Sequence, residues 1–480
     1  MSEPSVTVRD GGHTDALSAD KHGGTSVRPP NHSPRGARRC ARAGLSLGAA
    51  TALVLTLTGP AAVADGDDGV TSLGTAADLG VDVPSDAAEL TSEFAASPTG
   101  AYFVELAPRP TTRGGSTASV ERAQRDLVSE AQDAGIDLEV RHTFSSLWSG
   151  ISADIDEDDL ERVAELSQVR AVYPVLPVAA PERPVSEPEL LSALTMTGAD
   201  VAQSELGFTG EGLKVGVIDT GVDYDHPDFG GTGVDGQTPF PNDKVVAGYD
   251  FVGDDFNADP TGAGYQPVRF PDADPDDCNG HGTHVAGIVA ADGNTAAGGV
   301  RGVAPDAQIG AYRVFGCDGS TDTDIMVAAM ERALADDMDV VNQSIGSAFS
   351  TWPGYPTAVA SDNLVDAGVV MVASIGNSGA SGTWSAGAPG VGEDVIGVAS
   401  FDNVSVTANV VEIDGEQHPY FSATGSPEPP TEGTLPLARL GDPGTPAARG
   451  CPDVPTSVAG QAVLIERGAD PANPGCDASF

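Results

Sequence analysis

The sequence predicts an α/β fold: a parallel sheet flanked by helices on both faces, with a small α+β unit ahead of it and a β-rich stretch behind. Three observations carry this. From about residue 190, apolar runs of strand length alternate with helical patterns, as in a parallel sheet with helical crossovers. Residues 98–180 show their own order of strand, helix, strand, strand, helix, strand. From about residue 405 the chain turns β-like and loop-rich, with prolines at Pro427–Pro430 and again at Pro443 and Pro446.

In the front unit, Ala101–Leu106 alternates as a strand. Ser119–Ala134 reads as a polar helix with Ser119 as its N-cap and Glu121 in the first turn, where a carboxylate suits the positive end. Leu138–Phe144 and Trp148–Ile155 are strands, Glu157–Leu166 a short amphipathic helix, and Val169–Val175 a last strand. This order predicts a ferredoxin-like unit. The Pro-rich stretch Pro177–Pro188 then marks a linker.

In the central region Leu213–Asp219, Ala307–Val314, Asp339–Ser344, Val369–Ser374 and Val395–Ser400 are predicted strands. His281–Ala291 and Pro356–Ala367 are predicted helices. So is Thr321–Asp336, where Ile325, Met326, Ala329, Met330, Ala333 and Leu334 recur at helical spacing. In such a sheet, functional residues gather where the strands end in the carboxyl direction. Val463–Gly468 is a strand of the tail.

Composition narrows the function. The net charge is -46, which repels phosphate backbones and argues against a nucleic-acid partner. A strongly acidic surface favours solubility, including in high salt; compositional drift toward Ala, Gly and Asp accounts for the charge equally well. The 44–59 stretch is apolar and uncharged, follows Arg35, Arg38, Arg39 and Arg42, and leads to Ala62-Val63-Ala64. Basic start, short apolar run and small-residue cleavage site make residues 1–64 a secretory signal peptide. Residues 65–97, rich in Ala, Asp, Gly and Ser, read as a linker. No later stretch reaches the ~18 apolar residues of a membrane anchor, so a secreted, extracellular protein is expected.

Cys40 leaves with the signal. Cys278, Cys317, Cys451 and Cys476 remain for an oxidising compartment. Four cysteines allow three pairings, and sequence neighbours are favoured: Cys278–Cys317 and Cys451–Cys476. A rival use of Cys278 is zinc, with His281 and His284 close by, although a fourth ligand is not visible. Eight aspartates between Asp250 and Asp277 offer hard oxygens suited to a structural calcium, but without a recognisable ligand spacing. They also suit a solvated acidic loop.

Two segments carry chemistry. Val215-Gly-Val-Ile-Asp219-Thr-Gly sets a carboxylate at the end of an apolar strand, and Asn279-Gly-His281-Gly-Thr-His284-Val-Ala-Gly sets an imidazole at the start of a helix. Singly, the first can be an Asp capping a turn and the second a satisfied loop histidine. Together they are two members of an Asp-His-Ser relay, in which the carboxylate fixes the imidazole and the imidazole takes the serine's proton. The helix's positive end disfavours the imidazolium and keeps His281 available as a base.

These motifs, across about 210–400, strongly resemble the subtilisin-like serine proteases, whose triad runs in the order Asp, His, Ser. The resemblance implies that Asp219 orients, that His281 is the general base and that Asn377, in Ala373-Ser-Ile-Gly-Asn377-Ser-Gly, is the side-chain oxyanion donor. It places His284 at a structural position and His226 in a turn the family also shows. It implies that Ser344, Ile345 and Gly346 supply a substrate-binding strand edge and one wall of the primary pocket, and that Ser374, Ile375 and Gly376 supply the other wall. The front unit, 98–180, resembles the family's inhibitory propeptide, released by a cut near 177–192. Residues 181–404 are the catalytic domain, and 405–480 resemble part of a protease-associated domain inserted before the nucleophile.

No serine in a Gly-Thr-Ser-Met-Ala-like context follows the signal within 480 residues. Gly24-Thr25-Ser26 lies ahead of it. The nucleophile is therefore expected beyond residue 480, and residues 1–480 alone are expected to be inert. The reading is a secreted endopeptidase precursor acting on proteins or peptides, with its own propeptide as intramolecular inhibitor and no cofactor needed for catalysis. Its alternative is a catalytically dead, secreted binding protein.

Overall fold

The computed structural model describes residues 5–8, 97–181, 190–401 apart from 263, 298, 350 and 351, and the stretches 409–413, 415–420, 433–442, 445–449 and 456–465. The apolar run of the expected signal, nearly all of the linker, and Cys40, Cys451 and Cys476 lie outside the described residues. The first strand, β1 (Ser5–Val8), pairs antiparallel on both edges with strands from the far end of the chain, Asn409–Ile413 and Gly433–Arg439.

The front unit has the ferredoxin-like arrangement its pattern predicts. Strands β2 (Ala101–Leu106), β3 (Leu138–Phe144), β4 (Gly150–Ile155) and β5 (Val169–Pro174) form an antiparallel sheet in the order β3-β4-β2-β5. Helix α1 (Thr117–Asp133) buries Val120, Ala123, Leu127 and Ala131, the last three against Val104, Ile151 and Ala153. That spacing is one face of a helix. Its N-cap is Ser116, not Ser119: the Ser116 hydroxyl accepts from the Ser119 N–H at 3.2 Å. The cap needs extended backbone two or three residues ahead of the N–H it satisfies, so Ser119 and Glu121 both move deeper into the helix. The expected helix over Glu157–Leu166 is a 3₁₀ turn, Glu157–Asp159, followed by α2 (Leu160–Ala164).

The chain leaves this unit through β6 (Pro177–Val178). Two short helices follow, α3 (Leu190–Thr197) and α4 (Ala199–Ser204), neither anticipated from the pattern. The central sheet then assembles from β7 (Lys214–Asp219), β8 (Val245–Asp250), β9 (Gln308–Arg313), β11 (Val340–Gln343), β12 (Val370–Ser374) and β13 (Ile396–Val398). It is parallel throughout, in the order β13-β12-β11-β7-β9-β8. The two-residue β10 (Thr321–Asp322) stands apart and pairs antiparallel with β6. Strand β8 was not predicted. It is an edge strand with glycine at Gly248, and its apolar signal is only Val245-Val-Ala.

Alternation along the strands divides the sheet's two faces. Val215 and Val217 of β7, with Ile309 and Ala311 of β9, pack on Ala286 and Ala290 of α5 (His281–Ala290). Ile218 and Tyr312 point the other way, to α6 (Thr323–Ala335) and α7 (Pro356–Asp366). That second cluster also contains Phe103, Phe144, Leu147 and Trp148 of the front unit. The tail strands β14 (Asn409–Ile413), β15 (Glu416–Tyr420), β16 (Gly433–Arg439) and β17 (Ala462–Leu464) join β1 in a sheet ordered β15-β14-β1-β16-β17. Among the described residues, no helix is long and apolar enough to cross a membrane.

Candidate active site

Asp219 ends β7 at the sheet's carboxyl edge and is fully buried. At Gly221 the backbone adopts φ +115, a conformation open to glycine, and the chain turns away. His281 is the first residue of α5. Its Nδ1 lies 2.7 Å from Asp219 Oδ1, and the same oxygen accepts the Thr220 N–H at 2.8 Å. The two halves are tied at three further points. The Thr220 hydroxyl accepts the Gly282 N–H at 2.8 Å, and Thr283 Oγ1 accepts the Asp223 N–H at 2.9 Å. Gly282 itself lies so close to the strand loop that a Cβ there would stand 2.1 Å from the Gly221 carbonyl oxygen. Asp277 caps the helix start, accepting N–H bonds from Asn279, Gly280 and Thr283 at 2.8–2.9 Å.

His281 is partly buried, with 21% of its side chain exposed. Burial pushes its pKa down, but the hydrogen bond and charge of Asp219 outweigh burial and raise it above the ordinary histidine value. The Asp219 carboxylate thus favours the imidazolium. His284, one turn further along the helix, has its pKa lowered by the partial loss of water around its ring and by the neighbouring His281.

Asn377 follows the carboxyl end of β12 by three residues and is exposed. It thus lies on the same edge of the sheet as Asp219, with β11 between their strands. The Ser344–Gly346 segment follows β11 and the Ser374–Gly376 segment closes β12. Both are joined to one loop: Ser347 N–H donates to the Ala388 carbonyl at 3.3 Å, and Gly387 N–H to the Ile375 carbonyl at 3.2 Å. Ile345 is buried, whereas Gly346 and Gly376 are exposed. Sequence reading missed the loop 386–390, whose only signal is a run of Ala, Gly and Pro.

It also missed where a strand actually adds to an edge. The tail of the front unit lies along β10: Thr321 pairs with Val178 and Asp322 with Pro177. Thr323 exchanges two bonds with Leu176, its N–H to the carbonyl and its hydroxyl from the N–H, both at 3.1 Å. Ser347 Oγ reaches the Pro177 carbonyl at 3.4 Å. The front unit is further gripped by Glu331 of α6, which accepts N–H bonds from Ser146 and Leu147 at 2.8 and 2.9 Å.

The loop ahead of α5 is held by covalent and ionic ties. Cys278 is disulfide-bonded to Cys317, across 39 positions. This is the first of the two expected pairings. It removes Cys278 from the zinc trio, because a disulfide sulfur has no thiolate to offer a metal. Buried Arg313, at the end of β9, bonds the Phe315 and Asp276 carbonyls at 3.0 Å each and pairs with Asp254 at 2.9 Å and Asp250 at 3.4 Å. Asp250, at the end of β8, and Asp254, still largely exposed, thus anchor Arg313. Asp225, Asp235 and Asp276 bring carboxylate oxygens within 4.8 Å of one another, an all-oxygen set of the kind calcium takes. Asp225 already accepts N–H bonds from Gly236 and Thr238 at 2.6 Å. Burial and neighbouring carboxylates push Asp276 up to about 6.

A model of the subtilase family matches residues 210–448. The chain is 35% identical over 296 residues to the minor extracellular protease Vpr of Bacillus subtilis (strain 168), covering 59% of this chain and 33% of that protein. It is 35% identical over 222 residues to subtilisin DY of Bacillus licheniformis, covering 45% and 66%. With subtilisin of Bacillus pumilus it shares 32% identity over 268 residues, covering 54% of this chain and 78% of the relative. The chain thus spans a third of one of these proteins and less than four fifths of the others.

Proposed function

This chain belongs to the subtilase family, and we propose that it forms the front part of a secreted serine endopeptidase precursor, with Asp219, His281 and Asn377 as its catalytic groups. The observation that carries this reading is the 2.7 Å contact between Asp219 Oδ1 and His281 Nδ1. With Nδ1 held by the carboxylate, Nε2 is the nitrogen left to take a serine's proton as the hydroxyl attacks a peptide carbonyl, and then to return it to the leaving amine. Asp219 stabilises the imidazolium in between. Asn377, on the same sheet edge, donates to the oxyanion of the tetrahedral intermediate. The nucleophile in this reading comes from sequence beyond residue 480.

Extended protein or peptide substrates would lie along β10 and the Ser344–Gly346 edge, with Ser374–Gly376 as the facing wall. The front unit serves as the inhibitory propeptide, its tail occupying the edge a substrate needs. Hydrolysis by this route requires no cofactor. A structural calcium belongs to the reading as well, with Asp225, Asp235 and Asp276 the described group able to hold it; metal analysis of purified protein tests that assignment.

The deciding experiment expresses residues 1–480 and the longer protein side by side and treats both with a serine-directed fluorophosphonate. Labelling and peptide hydrolysis are expected from the longer protein after loss of the front unit, and from residues 1–480 neither. Turnover by residues 1–480 would overturn the placement of the nucleophile. A longer protein that binds peptides yet never labels would be a catalytically dead relative.

A further inference from the structure

A second concentration of buried charge lies where the front unit meets the start of α6. Asp322 and Asp324 are 3% and 0% exposed. Between them sits the guanidinium of Arg141, which comes from β3 of the front unit. Its Nη2 bonds Asp322 Oδ2, its Nε lies 3.1 Å from Asp324 Oδ2, and its Nη1 is 3.5 Å from Asp154 at the half-exposed rim. Ser152 Oγ donates to Asp324 at 2.8 Å, and Arg269 contacts the neighbouring His142. Three different nitrogens of one planar group thus meet three carboxylates, a span that the single nitrogen of a lysine does not reach. The second oxygens, Asp322 Oδ1 and Asp324 Oδ1, are buried and without a hydrogen-bond partner among the described residues.

The charges divide unevenly between the two units. The catalytic unit contributes Asp322, Asp324 and Arg269, the front unit Arg141 and half-exposed Asp154, and the cation in direct contact with Asp322 and Asp324 is Arg141. When the front unit departs, that cation goes with it. The pair is buried with the front unit in place; once that unit leaves, two neighbouring carboxylates lose the cation between them and repel one another, which favours a new cation at the same place. The position of the pair says which. Asp322 pairs directly with Pro177 in the β6–β10 ribbon, and the side chains of such a pair leave the same face with Cβ atoms about 5 Å apart. A peptide replacing the front unit's tail with an arginine at the register of Pro177 therefore begins that side chain beside Asp322.

We propose that Asp322 and Asp324 form a guanidinium-binding socket of the catalytic unit, filled by Arg141 in the intact chain and, after the front unit is released, by an arginine of an extended peptide paired with Asp322. The second half rests on the endopeptidase reading above; the first half does not.

The intact chain tests the first half. In R141A, amide exchange at Ser146 and Leu147, whose N–H groups are held by Glu331, should rise about tenfold or more. Millimolar methylguanidinium should restore protection, and sodium chloride at equal ionic strength should not. R141K should stay close to R141A. Should R141A fail to fold, D324N replaces it: it should lose the protection without being rescued. Unchanged exchange in R141A, or equal rescue by sodium chloride, overturns the socket. For the second half, the longer protein freed of its front unit is given two peptides differing only in arginine or citrulline at the residue paired with Asp322. Binding is read by fluorescence anisotropy and turnover by kcat/KM. About tenfold preference for arginine, lost in D324N, is expected. Equal binding of the two overturns the peptide role. Preferential binding without turnover of either peptide upholds the socket and counts against the endopeptidase reading instead.

Discussion

At the scale of single residues, the contact between Asp219 and His281 makes the sharpest demands. Replacing Asp219 by Asn keeps the shape and removes the charge. In a relay of this kind that loss costs ~10⁴ in kcat, measurable on the longer, processed protein. The pH profile adds a signed test. In the proposed relay His281 acts as a base only when neutral, and Asp219 raises its pKa. The acid limb of kcat/KM should therefore lie above the ordinary histidine value of about 6.5, and D219N should move it down. The same linkage means that the pair stabilises the fold fully below about pH 6.5 and less as pH rises through the raised value. Asp219 and His281 were legible in the sequence because each sits in a short motif whose neighbours, a strand end and a helix start, dictate its placement. Ser116, Asp277 and Arg313 were not. Their roles depend on which N–H, carbonyl or carboxylate folding brings alongside, and nothing in their immediate neighbours announces it.

At the scale of elements, the approach of α5 to the loop after β7 sets the site's dimensions. Gly282→Ala would set a methyl 2.1 Å from the Gly221 carbonyl oxygen, so the helix must retreat and carry His281 with it. A misplacement of about 1 Å costs ~10²-fold in rate, so kcat should fall by that order while the protein remains folded by circular dichroism. Strands and helices with strong apolar periodicity were readable to within a residue or two. Strand β8, the helices 190–204 and the two-residue β10 were not, because each is too short or too weakly apolar to carry a period. The β10 case matters most, since resemblance pointed to Ser344–Gly346 alone as the binding edge, and the front unit's tail pairs with Thr321–Asp322 while Ser347 reaches its Pro177 carbonyl.

At the scale of the whole molecule, the order of units could be read from changes of pattern, and their mutual packing could not. The Cys278–Cys317 bridge pins the loop ahead of α5 to the end of β9. Replacing both cysteines by serine should lower stability by about 3–4 kcal/mol on chain-entropy grounds, seen as a lower denaturation midpoint in urea.

The shared apolar cluster has a kinetic consequence. Phe103, Phe144 and Trp148 of the front unit pack into the same interior as Ile325, Tyr355 and Ala358 of the helices beneath the sheet. In the proposed precursor, scission of the linker leaves two bodies still glued along an oily seam, and parting them wets both sides at once. Tearing, not cutting, should then set the pace of activation: on a denaturing gel the severed chain should be complete well before hydrolysis of a reporter peptide begins to climb.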